Sequence, residues 1–424
     1  MTRIKRLAKE GSWIVAGQIA SVVGALVIVR VLTEHLAPAE YGQLALGMTV
    51  AGLVNQVAMG GVISGIGRFY SIAAEKGDLL GYLKASKRLM GYATLGVGAI
   101  ALVLTVGLFA SGQSQWLGLA AALLVFSILS GYNSALSGIQ NAARQRAIVA
   151  LHGGMDTWLK IGLATGLVLW VSASSTAVVI GYALSALLVT VSQLFFLRRL
   201  LHRHGGITHT LGNENWARQM WLFSWPMMAG GLFNWGYYAS QRWALELFVS
   251  TADVGKFYAL TQIAYSPISM AGGLFMSILV PILYARAGDP GDHERIANVR
   301  DIVFKIAAMG GAATLVITAF TFFWHETIFS LLVAERYRDM SRYMPMAAMA
   351  AGLLQVSMAI SISITVKNMT FLFLPKDIFG NAFIAALNLY ATWLYGLTGL
   401  LFSMVAGSLL HLSWTIFIVT RARH

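Results

Sequence analysis

The sequence predicts an all-α polytopic membrane protein: twelve transmembrane helices in two six-helix lobes, related by a pseudo-twofold axis along the membrane normal. Three observations predict it. Of 424 residues, 57% are hydrophobic and only 11% charged, too little polar surface for a soluble globule of this size. The apolar residues gather into twelve runs, each near the roughly 20 residues that cross a bilayer core. Finally, one turn is written twice, half a chain apart.

The repeated turn reads "VRVLTEHLAPAEYGQLAL" at 29–46 and "QRWALELFVSTADVGKFYAL" at 241–260. Arg30 precedes Glu34 by four residues and is followed by Glu40 and Gly42; Arg242 precedes Glu246 by four and is followed by Asp253 and Gly255. Gly42 and Gly255 are 213 positions apart in a chain of 424, so the chain reads as a duplicated unit. At the turn, glycine is expected to supply an unusual backbone angle, and the acid two residues earlier to N-cap the next helix. The first copy also resembles the end of a signal peptide, after the basic start "MTRIKRLAK". The apolar run 12–29 is too long for a signal core, and the second copy lies mid-chain.

The expected spans are 12–33, 43–66, 89–110, 115–138, 148–171 and 176–197 in a first lobe covering 1–203. A second lobe, 216–424, holds 219–244, 254–284, 302–324, 344–366, 377–394 and 397–419, with a cytoplasmic linker at 204–215. Six spans is an even number, so both copies enter the membrane from the same side, with a cavity between the lobes. Of 30 Lys and Arg, 23 fall at the termini and in the even-numbered gaps, which places both termini in the cytoplasm by the positive-inside rule. That scatter over short loops explains the net charge of +13 without nucleic acid as a partner. The chain has no cysteine, which removes disulfides and thiolate metal sites. His202, His204 and His209 lie in or beside the linker without accompanying carboxylates, so neither a metal nor a cofactor is expected.

The segments "FSWPMMAGGLFNWGYYASQRWALELFVSTADVGKFYALTQIAYSP", "LAPAEYGQLAL" and "GGVISGIGRFY" resemble the polysaccharide transporter branch of the multidrug/oligosaccharidyl-lipid/polysaccharide (MOP) exporter superfamily, which includes Wzx-type O-antigen flippases. The resemblance spans nearly the whole chain. It implies a flippase, not an enzyme, that moves an undecaprenyl-diphosphate-linked oligosaccharide across a bacterial cytoplasmic (inner) membrane for O-antigen, capsule or exopolysaccharide synthesis. Membrane lipids and the cognate polysaccharide polymerase are its implied partners. Gln241 stands before Arg242 where relatives often carry an acid, which puts ion coupling through that position in doubt.

Intramembrane ionisable residues are where such a substrate would be met. Lys160 lies roughly 15 to 18 Å along span 5 and is the first choice for a diphosphate contact, with Asp156 one turn away as its partner. A structural ion pair is the plainer reading of the two. On span 7, Asn234, Tyr238, Arg242 and Glu246 follow at steps of four, a stripe able to meet sugars or simply to pack. Arg30 and Arg242 fall at the outer mouth, either as substrate contacts or as helix-end anchors. A gate is expected in which Arg30 meets Glu246 and Arg242 meets Glu34 when the cavity opens inward. Asn55, Gln56, Asn381 and Asn388 are further polar positions that line a cavity or bridge helices. "WHETIFSLLVAERYRDMSRYMP" is expected to be an amphipathic outer stretch.

Two other functions fit a membrane chain. A drug exporter of the same superfamily would carry a buried acid in span 1, and residues 12–29 hold none. A glycan polymerase or ligase would need a sizeable outer loop with catalytic groups, which the sequence does not offer.

Overall fold

The computed structural model describes residues 3–203, 215–288, 292–367 and 369–421, and the structural statements below concern these. The described residues are almost entirely helical, with no strand among them. The helices are α1 (Arg3–His35), α2 (Pro38–Glu75), α3 (Leu79–Ala110), α4 (Leu117–Ala142), α5 (Arg146–Trp170) and α6 (Ser175–Arg203). After the linker come α7 (Trp216–Phe248), α8 (Thr251–Ala287), α9 (His293–Leu332) and α10 (Met344–Thr365). The last stretch, Phe371–Arg421, is interrupted at Gly396, whose positive φ of 56° only glycine adopts readily, and it divides there into α11 and α12.

Nine of these stretches are long and apolar enough to cross a membrane among the described residues, the Phe371–Arg421 stretch counting as one. The helices α5 and α7 fall outside that set because polar groups interrupt them, Asp156 and Lys160 in α5 and Asn234, Gln241 and Arg242 in α7. The twelve-helix layout follows. Three helices carry a π-turn that periodicity does not reveal, Asn55–Gly60 in α2, Thr261–Tyr265 in α8 and Lys376–Gly380 in α11.

Contacts divide the chain into two compact units. One is Met1–Gly24 with Leu44–Trp235; the other is Ala25–Gln43 with Gly236–His424. The divisions fall inside α1 and α7, so each of these helices contributes to both units.

In the first unit, the apolar core collects Met59, Val62, Ile66 and Tyr70 of α2 with Tyr82, Met90 and Val97 of α3 and Met220 of α7. Asp78 fixes one corner: its carboxylate caps α3 by accepting from the Gly81 N–H at 3.0 Å and takes the Trp216 indole N–H at 2.7 Å. Both Asp78 and Trp216 are buried, so this bond satisfies two groups that would otherwise lack water.

In the second unit, the repeated turn corrects two expectations. Gly42 and Gly255 are ordinary helical residues within α2 and α8, since the positive-φ glycines are Gly77, Gly112, Gly288 and Gly396. What their lack of a side chain permits is close approach. A Cβ on Gly42 would fall onto the Thr251 carbonyl, and one on Gly255 onto the Pro38 carbonyl. The N-cap of α8 is Ser250, not Asp253: the Ser250 hydroxyl accepts from the Asp253 N–H at 3.1 Å and donates to the Asp253 carboxylate at 2.5 Å. Glu40 likewise sits in the first turn of α2, where an acid suits the helix dipole.

The stretch expected to be amphipathic continues α9 to Leu332 and then forms a 3₁₀ segment, Glu335–Tyr343. Residues 333–337 staple the carboxyl end of α1. Arg30 donates to the Val333 carbonyl at 2.6 Å, the Ala334 N–H reaches the Thr33 hydroxyl at 3.2 Å, and the buried Tyr337 hydroxyl donates to the Leu36 carbonyl at 2.9 Å. Arg336 adds bonds to the Thr33 and Glu34 carbonyls at 3.1 and 2.6 Å. A helix leaves its last four carbonyls without internal partners, and an arginine is the side chain best suited to meet them.

Candidate functional site: a polar cavity among α4, α5 and α6

Lys160 and Asp156 are one turn apart on α5, and the ammonium lies 2.5 Å from the Asp156 carboxylate. Both are partly covered, with side-chain exposures of 24% and 29%. The ammonium also stands over two aromatic faces, 5.3 Å from the Phe126 ring centre and 5.8 Å from that of Tyr182. The neighbouring helix α6 holds the carboxylate from the other side, through the buried Ser185 hydroxyl at 3.2 Å.

Around this pair the first unit builds a polar cavity of about 190 Å³. Residues of α4, α5 and α6 form its walls. The Thr190 hydroxyl donates to the Asn133 carbonyl oxygen at 2.6 Å, the Asn133 amide to the Ala186 carbonyl at 3.1 Å, and the Gln193 amide to the Ser137 hydroxyl at 2.9 Å. Other helices of the same unit flank the walls: a Cβ on Gly24 of α1 would meet Thr157 of α5, and one on Gly131 of α4 would meet Met59 of α2. Asn133, Ser137 and Gln193 escaped sequence reasoning because they come from helices distant along the chain, although "SGYNSALSGIQNA" does carry small and polar residues at helical spacing.

The second unit holds a larger cavity of about 520 Å³ between α8, α9 and α10. Its lining is apolar, including Pro267, Phe275, Met276 and Met309, and Gln355 and Thr314 are its polar members. Among the described residues, none that lines it is charged.

The remaining predicted residues are placed as follows. Arg30 pairs with its own Glu34 at 3.0 Å, both substantially exposed. Glu246 accepts the Thr251 hydroxyl at 2.9 Å, and its other carboxylate oxygen is buried without a partner. Arg30 is thus engaged by Glu34 and Val333, and Glu246 by Thr251. The Arg242 guanidinium lies 4.6 Å from the centre of the Tyr258 ring. Tyr238 is 43% exposed and packs edge-on against Tyr237 and Tyr265, while Asn234 is exposed on α7 and belongs to the other compact unit. Asn55 donates to the Ala51 carbonyl, the Gln56 side chain lies against Gly231, and Asn381 and Asn388 are buried. Asn388 bridges helices, donating to Ser240 and accepting from Ser403, and Asn381 meets His411 at 3.0 Å. Of the linker histidines, His204 and His209 lie outside the described residues, as does the side chain of His202. Among the described residues no group of His, Asp or Glu could hold a metal.

The model of a family described as polysaccharide biosynthesis protein matches residues 7–285. The chain belongs to this family. No curated protein matches it. Among solved structures it is similar to a mutant form of the Vibrio cholerae MATE transporter VcmN, at 16% identity over 99% of this chain and 96% of that one, with a TM-score of 0.65. It is also similar to the lipid II flippase MurJ in an inward closed conformation, at 12% identity over 97% and 87% of the two chains and a TM-score of 0.65. A MOP superfamily transporter from Pyrococcus furiosus aligns at 14% identity over 97% and 96%, with a TM-score of 0.61. At these identities the likeness establishes the fold: a member of the polysaccharide biosynthesis family has the helical architecture found in MOP-superfamily membrane transporters.

Proposed function

We propose that this chain is a flippase that carries an undecaprenyl-diphosphate-linked oligosaccharide from the inner to the outer leaflet of a bacterial cytoplasmic membrane, with both termini in the cytoplasm. The observation that carries the reading is a polar cavity, lined by an ion pair, in a multi-pass membrane chain of the polysaccharide biosynthesis family. A lipid-linked glycan has a head that cannot enter hydrocarbon, so its path needs hydrogen-bonding groups below the membrane surface. Lys160 and Asp156 stand near the middle of α5 and supply them.

Arg30, Arg242, Asn234 and Tyr238 are the other groups proposed to meet substrate on its way. Arg30 and Arg242 correspond to each other in the two copies of the repeat, near the ends of α1 and α7 where the head would leave. The handed-over product would feed a polymerase that builds O-antigen, capsule or exopolysaccharide. Cells lacking the chain test the proposal: the lipid-linked oligosaccharide should accumulate in a form that periplasmic enzymes cannot reach. If it is processed at the normal rate, the chain does not carry it.

A further inference from the structure

The charge of the cavity lining is balanced. Among the described residues, Lys160 and Asp156 are the only formally charged side chains lining the cavity, and they neutralise each other at 2.5 Å. The ammonium also lies 5.3 Å from the Phe126 ring centre and 5.8 Å from that of Tyr182. A diphosphate with two negative charges would find no net positive charge here and would have to break the pair to gain one. What the cavity offers instead are groups that both give and take hydrogen bonds: the hydroxyls of Ser130, Ser134 and Ser137 and the amides of Asn133 and Gln193.

Gln193 is 1% exposed and its side-chain carbonyl oxygen has no partner, although its amide is bonded to Ser137. A buried acceptor left unpaired calls for a donor from an occupant. The cavity exceeds what one bridging water needs, since about 190 Å³ holds about six waters at ~30 Å³ each. Access exists as well. Ser134 and Gly153 are exposed at the rim, and a Cβ on Gly153 would meet nothing within 4 Å.

We infer that this cavity is a subsite for one sugar ring of the glycan head, held through its hydroxyls by Gln193, Asn133 and the serines, and that the diphosphate binds elsewhere. The inference rests on the flippase reading, and it reverses the role first expected of Lys160: the ammonium fixes Asp156 and the shape of the cavity.

The absence of native cysteine makes the test direct. Full-length Ser134→Cys protein in proteoliposomes is modified with a water-soluble methanethiosulfonate. The rate is measured alone, with N-acetylglucosamine, galactose, rhamnose or glucuronic acid, and with inorganic pyrophosphate. At least one sugar should slow modification about threefold, as two-thirds occupancy requires, and pyrophosphate should not. Gln193→Leu should remove the protection, and Gly153→Leu, which fills the rim, should remove it in a second way. No protection by any of these sugars, equal protection by pyrophosphate, or a cysteine that is never modified would each overturn the inference. The same vesicles, loaded with lipid-linked glycan, separate the two claims. Sugar protection without translocation removes the flippase reading and leaves the sugar site; translocation without protection does the reverse.

Discussion

Gly42 and Gly255 face each other across the first turns of α2 and α8, each occupying the same place in its own copy of the repeat. A Cβ on Gly42 would come 3.1 Å from the Gly255 nitrogen, and one on Gly255 would come 2.7 Å from the Gly42 nitrogen. The blocking atoms are also equivalent, the Thr251 and Pro38 carbonyls, which are themselves 213 positions apart. A local two-fold relation therefore runs between the two turns, and backbone meets backbone there.

Because a carbonyl cannot rotate out of the way as a side chain can, Gly42→Ala and Gly255→Ala should each destabilise the contact by about 1–3 kcal/mol, and by similar amounts. Melting of the purified protein in detergent should show both variants below wild type. A wild-type melting temperature for either would mean that the turns are not in tight contact.

The staple on α1 predicts a second loss. Tyr337→Phe removes one hydroxyl and leaves the buried Leu36 carbonyl without its donor, at a cost of about 1–3 kcal/mol. Amide hydrogen exchange should rise across 333–337 in that variant while the Asp78–Trp216 corner keeps its protection. Uniform change in both regions would show that the segment is not held to α1 as described.

The Lys160–Asp156 pair predicts an order of variants. Asp156→Leu strands the ammonium in the cavity and should lower stability more than Asp156→Leu combined with Lys160→Leu, which removes both charges. Both residues are about a quarter exposed, so water screens part of the effect, and about 1–2 kcal/mol separates the two variants. Equal melting temperatures would show that the pair is not coupled.

The basic residues predict topology. Single cysteines replacing Ser114 and Ser174 should react with an impermeant thiol reagent on intact spheroplasts, and one replacing Thr208, which lies outside the described residues, should not. The opposite labelling pattern would place the termini outside.

Much of the helix plan was legible because composition and periodicity report on lipid, which acts on every residue alike. The ends of the spans were less so: α3 begins at Leu79 and α9 runs from His293 to Leu332, since a helix continues into polar surroundings after its apolar stretch stops. The duplicated turn was visible in letters, yet the role of its glycines was not. Sequence shows that a side chain is missing, whereas only packing shows whether the cause is a backbone angle or a neighbour, and here it is the Thr251 and Pro38 carbonyls. The Lys160–Asp156 pair was readable from i,i+4 spacing, but its setting was not, because Asn133 and Gln193 reach it from α4 and α6. The π-turns at Asn55–Gly60 and Thr261–Tyr265 leave no periodic trace at all.

The most direct measurement reconstitutes the purified chain in proteoliposomes with a fluorescent undecaprenyl-diphosphate-linked oligosaccharide and follows its exposure on the opposite leaflet with a membrane-impermeant quencher. The account predicts that translocation is faster than in protein-free vesicles, is slowed at least tenfold by Gly42→Leu, and is absent for a multidrug substrate offered in its place. Vesicles that export the drug and leave the lipid-linked glycan where it started would contradict it.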